Sequence, residues 1–201
     1  MKKENQSSNF LKYRGKNIVK NNPVKHFLIG LFLRKVFQEI RKSNPKKIID
    51  LGCGEGFFEA FLLKNKYGAE MVGIDINPDS IKYAQKNNPG VKFLTGDILN
   101  LKMKGNFDLV LMLEVLEHLP QPGKALKTSQ SLSKKILVSV PWEPWFSWLY
   151  LMAGLNLRRF GRHPEHCHFF NRQSLEFLLK KYFKKVEVKS NWPWLIAWGM
   201  N

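Results

Sequence analysis

Four acidic side chains stand directly after, or at the end of, short apolar runs, which is where a parallel sheet presents chemistry. Asp50 sits in KIIDLGCGEGFF, Asp75 closes MVGID, Asp97 follows VKFLTG, and Glu114 opens EVLEHLP after NFDLVLML. In the first stretch Gly52, Gly54 and Gly56 alternate with Cys53 and Glu55. A short β-branched run ending in glycines reads as a buried strand entering a tight turn, and Phe57, Phe58, Phe61 and Leu62 continue it as a helix. Strand, glycine turn and helix together form a nucleotide-binding opening. A carboxylate at Asp50 would repel a pyrophosphate but suits a cationic end such as an α-amino group. Asp75 lies at the distance of the acidic residue that holds a ribose at the end of a second strand.

The turn reads G-C-G-E-G, which departs from the dinucleotide pattern G-x-G-x-x-G. With Asp50 before it, it resembles motif I of the class I S-adenosylmethionine-dependent methyltransferases, and G-I-D-I-N around Asp75 agrees in tandem. The stretch E-V-L-E-H-L-P resembles the corresponding segment of the ubiquinone-biosynthesis and wider type 11 methyltransferases. The resemblance covers residues 45 to 199. It implies S-adenosylmethionine as cofactor, with Asp50, Gly52, Cys53, Gly54 and Gly56 at the methionine end. It also implies Asp75 and Ile76 at the ribose, Asp97 and Ile98 at the adenine, and Glu114 beside them at the end of strand four.

That last segment faces the methyl acceptor in the family. His118 is the candidate general base, since its unperturbed pKa lies near neutrality; Glu117 is its neighbour, and His166 and His163 are second choices. The order Glu114, Glu117, His118 also matches the E-x-x-E-H of some ubiquinone-pathway O-methyltransferases and of the methyltransferases that modify the terminal 2′-hydroxyl of small RNAs, where it binds metal. A divalent cation held there would lower the pKa of a substrate hydroxyl. The sequence favours the histidine over the metal.

The elements that must position these groups alternate in type. An amphipathic helix from Val24 to Ile40 precedes the first strand, with Phe27, Leu28, Leu31, Phe32, Val36 and Ile40 on one face and Arg34, Lys35 and Glu39 off it. It reads as a cover for the sheet, with a basic helix lying on a membrane as the alternative. Asn77 and Pro78 start a helix after the second strand. Val91–Leu94, Asn106–Leu113 and Lys135–Val140 read as strands three to five, with helices at Lys124–Leu132 and Arg172–Tyr182. Val186–Lys189 and Leu195–Trp198 close the chain as a hairpin around Asn191 and Pro193. The fold class is α/β: a doubly wound, seven-stranded, mostly parallel sheet with a C-terminal antiparallel hairpin. A polar arm occupies 1–22 and one domain occupies 23–201.

Residues 142–170 are too long and too aromatic for a plain connection. Trp145, Phe146, Trp148, Leu149, Tyr150, Leu151 and Met152 form an apolar cluster followed by Arg158, Arg159 and Arg162. Such an insert reads as a substrate lid or as a contact with an anionic membrane interface. Trp192, Trp194 and Trp198 are candidates for the same aromatic surface.

The formal net charge is +17, which favours an acidic partner or surface. Two cysteines without a C-x-x-C indicate a reducing compartment, and MKKENQSSNF lacks the apolar core of a secretory signal. The expectation is a cytoplasmic enzyme, with peripheral membrane contact left open. Its acceptor is read as a small or lipid-like molecule methylated at a hydroxyl oxygen. RNA is the alternative acceptor, an inactive adaptor on the same fold is a third reading, and no DNA is expected. The insert tilts the choice away from RNA, because it is apolar where RNA contact wants Arg and Lys among stacking aromatics.

Overall fold

The computed structural model describes residues 23–152 and 166–201. The arm at 1–22, and Arg158, Arg159, Arg162 and His163 of the insert, lie outside the described residues.

Helix α1 (Pro23–Ser43) leads into β1 (Lys47–Leu51), α2 (Phe57–Lys64), β2 (Glu70–Asp75), α3 (Pro78–Asn87) and β3 (Lys92–Thr95). Next come β4 (Leu109–Leu113), a single 3-10 turn (Leu116–His118), α4 (Pro122–Gln130) and β5 (Lys135–Pro141). Helices α5 (Trp145–Met152) and α6 (Arg172–Lys180) precede the hairpin β6 (Lys185–Asn191) and β7 (Trp194–Met200). The seven strands lie in the order β3-β2-β1-β4-β5-β7-β6. The β1–β5 pairings are parallel, and β7 runs antiparallel to both β5 and β6. This is the doubly wound sheet with a closing hairpin expected from the alternation of elements. The order reverses between β1 and β4, so the crevice at their carboxyl ends is the ligand position of such sheets.

Central strands buried on both faces should be near-continuously apolar. In β4, Leu109, Val110, Leu111 and Met112 are all buried. Alternate residues face two cores. Ile48, Met71, Leu109, Leu111 and Leu137 meet Val36, Ile40, Phe58, Leu62, Ile81 and Ala84 on the side covered by α1, α2 and α3. Ile49, Ile74, Val110, Met112 and Val138 meet Leu126, Leu175 and Leu179 on the side covered by α4 and α6. β4 starts at Leu109 rather than Asn106 because Asp108 turns aside to accept the N–H groups of Lys46 and Lys47, at 2.8 and 2.9 Å. Asn77 Oδ1 accepts from the N–H groups of Asp79 and Ser80, so it caps α3 as its type and place demand. Asn171 and Ser174 cap α6 reciprocally.

Three residues expected on outer surfaces are interior. Glu39, assigned to the polar face of α1, is 7% exposed: its Oε2 accepts from Lys189 Nζ at 2.7 Å and Trp198 Nε1 at 3.0 Å. A buried carboxylate needs such partners, and they come from strands 150 residues or more away, beyond the reach of helical periodicity. Trp194 and Trp198 are likewise buried, and Phe32 of α1 packs on Trp194 with ring centroids 5.0 Å apart. Val36 and Ile40, with Phe32, Leu33 and Phe37 beside them, thus pack the C-terminal half of α1 onto the sheet. Among the described residues no helix is long and apolar enough to cross a membrane.

Candidate active site

The glycine turn hangs on the end of β2. Gly52 and Cys53 both donate N–H to the carbonyl of Ile74, at 2.7 and 3.1 Å, and Gly54 N–H donates to Asp75 Oδ2 at 2.9 Å. Asp75 Oδ1 accepts from Asn77 N–H at 2.9 Å, so one carboxylate joins the turn to the start of α3. Gly54 has φ +56, a conformation that costs an L-residue about 1 kcal/mol or more. A Cβ built there meets nothing within 4 Å, so the turn opens onto free space. At Gly52, φ +88, a Cβ would instead strike Val115 at 2.5 Å, which holds the turn against the end of β4. Ile76 projects into solvent, 70% exposed, while Ile98 is buried. Asp97 accepts from Leu99 N–H at 2.8 Å and Asn100 Nδ2 at 2.6 Å, which fixes the turn after β3.

Asp50 points inward. It is buried in β1 beside Glu59 of α2, a residue that sequence reasoning missed. Burial raises the Asp50 carboxyl well above the usual range, and the adjoining Glu59 and Asp75 charges push the same way. Burial likewise lifts Glu59 to about 7. Two carboxyls removed from water and set side by side resist ionising together, so at least one of them holds its proton near neutrality. Burial, then the charges of Asp50 and Glu59, pushes the Cys53 thiol far upward and keeps it neutral. The signal for Glu59 was its helical spacing: it stands among the apolar residues Phe58 and Leu62, on a helix that must face the sheet.

After β4 the chain turns sharply. Glu114 has φ +57, in the left-handed region, where a non-glycine residue is strained by about 1–3 kcal/mol. Ser139 of β5 holds it there: the Glu114 N–H donates to the Ser139 carbonyl and to its Oγ, both at 3.1 Å, and Ser139 Oγ donates to Glu114 Oε1 at 2.9 Å. Glu117 and His118 follow on the 3-10 turn, where Glu117 is 1% exposed and its Oε1 lies 3.9 Å from His118 Nε2. The Glu117 carbonyl accepts N–H groups from both Cys167 and His168, at 2.7 and 3.1 Å. That clasp brings His166 onto His118, with ring centroids 4.9 Å apart and the rings edge to face. Ligand atoms of Glu117, His118 and His166 all lie within 4.8 Å of one another, a spacing that suits one metal ion. Of the three residues matched to E-x-x-E-H, Glu117 and His118 stand in this group. Glu114 stands outside it, its carboxylate turned to Ser139. His168 is not in the group either.

The parallel sheet, its reversal of strand order and the glycine turn at that point define the class I methyltransferase fold. The chain belongs to the methyltransferase-domain family, whose model matches residues 24–186. It is 32% identical over 98 residues to a mitochondrial ubiquinone biosynthesis O-methyltransferase of Schizosaccharomyces pombe (45% of this chain, 35% of the relative). It is 37% identical over 92 residues to norajmaline N-methyltransferase of Rauvolfia serpentina (42% of this chain, 31% of the relative). The matched stretch thus spans about a third of each of these relatives. In three dimensions the chain superimposes on the plantazolicin methyltransferase BpumL, solved with a monoazolic desmethylPZN analog and SAH. The TM-score there is 0.71 at 19% identity, over 97% of this chain and 88% of that one.

Proposed function

We propose that the chain is an S-adenosylmethionine-dependent methyltransferase acting on a small or lipid-like acceptor at a hydroxyl oxygen. The observation that carries the reading is the meeting of the glycine turn, Asp75 and the Glu117–His118 pair at the carboxyl ends of neighbouring parallel strands. The residues fit the cofactor: Gly54 leaves open space where a side chain would stand, and Asp75 offers carboxylate oxygens at the end of β2. The Gly52–Gly56 turn would hold the methionine end, with the buried Asp50 behind it. Asp75 and Ile76 would hold the ribose, and Asp97 and Ile98 the adenine. The cofactor supplies a methyl already activated by its sulfonium.

The protein's share is alignment and proton removal. Fixing an acceptor in line with the leaving sulfur removes much of the barrier. His118 takes the acceptor's hydroxyl proton on Nε2, and the buried Glu117 carboxylate beside it stabilises the imidazolium that results. His166, edge-on to His118, fixes the ring.

A second reading has its own support, the close grouping of Glu117, His118 and His166. Those residues would hold a divalent cation, which would acidify the acceptor hydroxyl in place of the histidine. RNA is the acceptor class that goes with it. One experiment tests both: cofactor carrying a labelled methyl is incubated with the protein and a lysate, with and without chelator, and label is counted in lipid, RNA and small-molecule fractions. Label in lipid or small molecules, indifferent to chelator, is the expected result. Chelator-sensitive label in RNA would replace it with the second reading, and no label in any fraction would sink both.

A further inference from the structure

Beyond β5 the aromatic insert forms a cavity of about 310 Å³, lined by Glu143, Pro144, Trp145, Ser147, Trp148, Leu151 and Phe169. That is the lower end of the size range for small-molecule sites. Its walls are aromatic and open: Trp145 and Trp148 are 46% and 56% exposed, and Phe169 is also exposed. One of its lining residues is acidic. Glu143 is nine-tenths buried, and one carboxylate oxygen, Oε2, accepts the Ser147 N–H at 3.1 Å at the start of α5. The other, Oε1, is buried with no hydrogen-bond partner, and so is the hydroxyl oxygen of Ser147.

Helix capping accounts for Oε2 and leaves Oε1 unexplained. A buried carboxylate oxygen without a donor costs free energy that a ligand donor would recover. Aromatic faces attract cations as well as apolar groups. In a chain of net charge +17, a carboxylate in the lining of an aromatic cavity is a local reversal of sign. The carboxylate and the aromatic faces favour a positively charged nitrogen over an anion, and Pro144 and Leu151 add apolar surface for the body that carries it.

We propose that this cavity binds the cationic nitrogen of a soluble amphipathic amine, with Glu143 as its counter-charge, Ser147 as a second acceptor and Trp145, Trp148 and Phe169 as its walls. The cavity adjoins the candidate active site through Phe169, whose ring lies 6.3 Å, centroid to centroid, from that of His166. It is therefore the far end of the acceptor site: the amine anchors the molecule, and the reacting group reaches His118. This assignment rests on the methyltransferase reading only in joining the two ends into one substrate.

The test uses the full chain and two probes of one skeleton, phenylbutylamine and phenylbutanol, in titration calorimetry near neutral pH. The wild type binds the amine about tenfold or more tightly than the alcohol. Glu143→Gln, which keeps an acceptor for the Ser147 N–H, removes that preference and leaves alcohol binding unchanged. Trp148→Ala, at an exposed position, weakens both probes. Equal affinity for amine and alcohol in the wild type, or a preference that survives Glu143→Gln, would overturn the proposal. So would Glu143-dependent retention on phosphatidylcholine vesicles, which would give the cavity to a lipid headgroup. A parallel titration with S-adenosylmethionine separates the two readings: amine preference without cofactor binding sinks the enzyme, and cofactor binding without amine preference sinks the cavity.

Discussion

Asp50 of β1 and Glu59 of α2 bury two carboxyls against each other beside the glycine turn. Glu59 titrates at about 7 in the folded chain, against 4.5 when unperturbed. The folded state therefore holds a proton that the unfolded state releases. The stability linked to it is fully present below 4.5 and is lost as pH rises through about 7. Urea unfolding across that window shows the wild type losing stability on the order of 3 kcal/mol. Glu59→Gln removes its own titration and makes the curve shallower, while buried Asp50 keeps part of the slope; a wild-type profile no steeper than the mutant's would dissolve the pair.

Glu39 has the opposite sign. Burial pushes its carboxyl up, but hydrogen bonds from Lys189, Lys42 and Trp198 outweigh that and hold it at about 2. Its contribution is present above 4.5 and is lost as pH falls toward about 2. Glu39→Ala leaves Trp198 Nε1 without its acceptor and Lys189 with Glu187 alone, and costs about 1–3 kcal/mol at neutral pH. In acid the gap between mutant and wild type narrows, which denaturation at the two pH values reads directly.

Gly54→Ala and Gly90→Ala make a matched pair. Both glycines have positive φ, +56 and +107, and neither has an atom within 4 Å of a built Cβ. Gly54→Ala costs about 1–2 kcal/mol in thermal stability, and Gly90→Ala, whose φ of +107 lies beyond the left-handed helical region, costs about 1–3 kcal/mol. Gly54→Ala alone fills the space expected for the cofactor and weakens S-adenosylmethionine binding by about tenfold or more. Equal binding by the two mutants would remove the glycine turn from the site.

His118→Asn lowers kcat by about a hundredfold to ten-thousandfold if the imidazole is the base. Cofactor affinity stays at the wild-type value, and added chelator changes neither protein. A mutant that recovers with added divalent ion would assign the histidine to a metal.

The sheet was legible because its evidence is local. Apolar runs at β1, β2, β4 and β5, glycines after β1, and Asn77–Pro78 before α3 each announce themselves within a few residues. The candidate site was legible only in part. The relation of Glu117 to His118 lies within one turn; His166 was named as a candidate, but its contact with His118 is made from within the insert, by backbone bonds of the next two residues to the Glu117 carbonyl. The diversion of Glu114 to Ser139 depends on a left-handed backbone that no residue type there advertises. Glu39 and Glu59 were missed or misplaced for one reason: an acidic residue on a helix reads as solvated until its tertiary partners are known.

The clasp at the Glu117 carbonyl has a mechanical consequence. Two N–H groups from consecutive residues grip one oxygen, so the segment leaving the insert cannot pivot there as it would about a single bond. A load placed on Phe169 reaches the 3-10 turn through a stiff, short lever two residues long. Phe169 and the 3-10 turn are thus tied through a short stretch of backbone, and a substitution at Phe169 is expected to register at that turn.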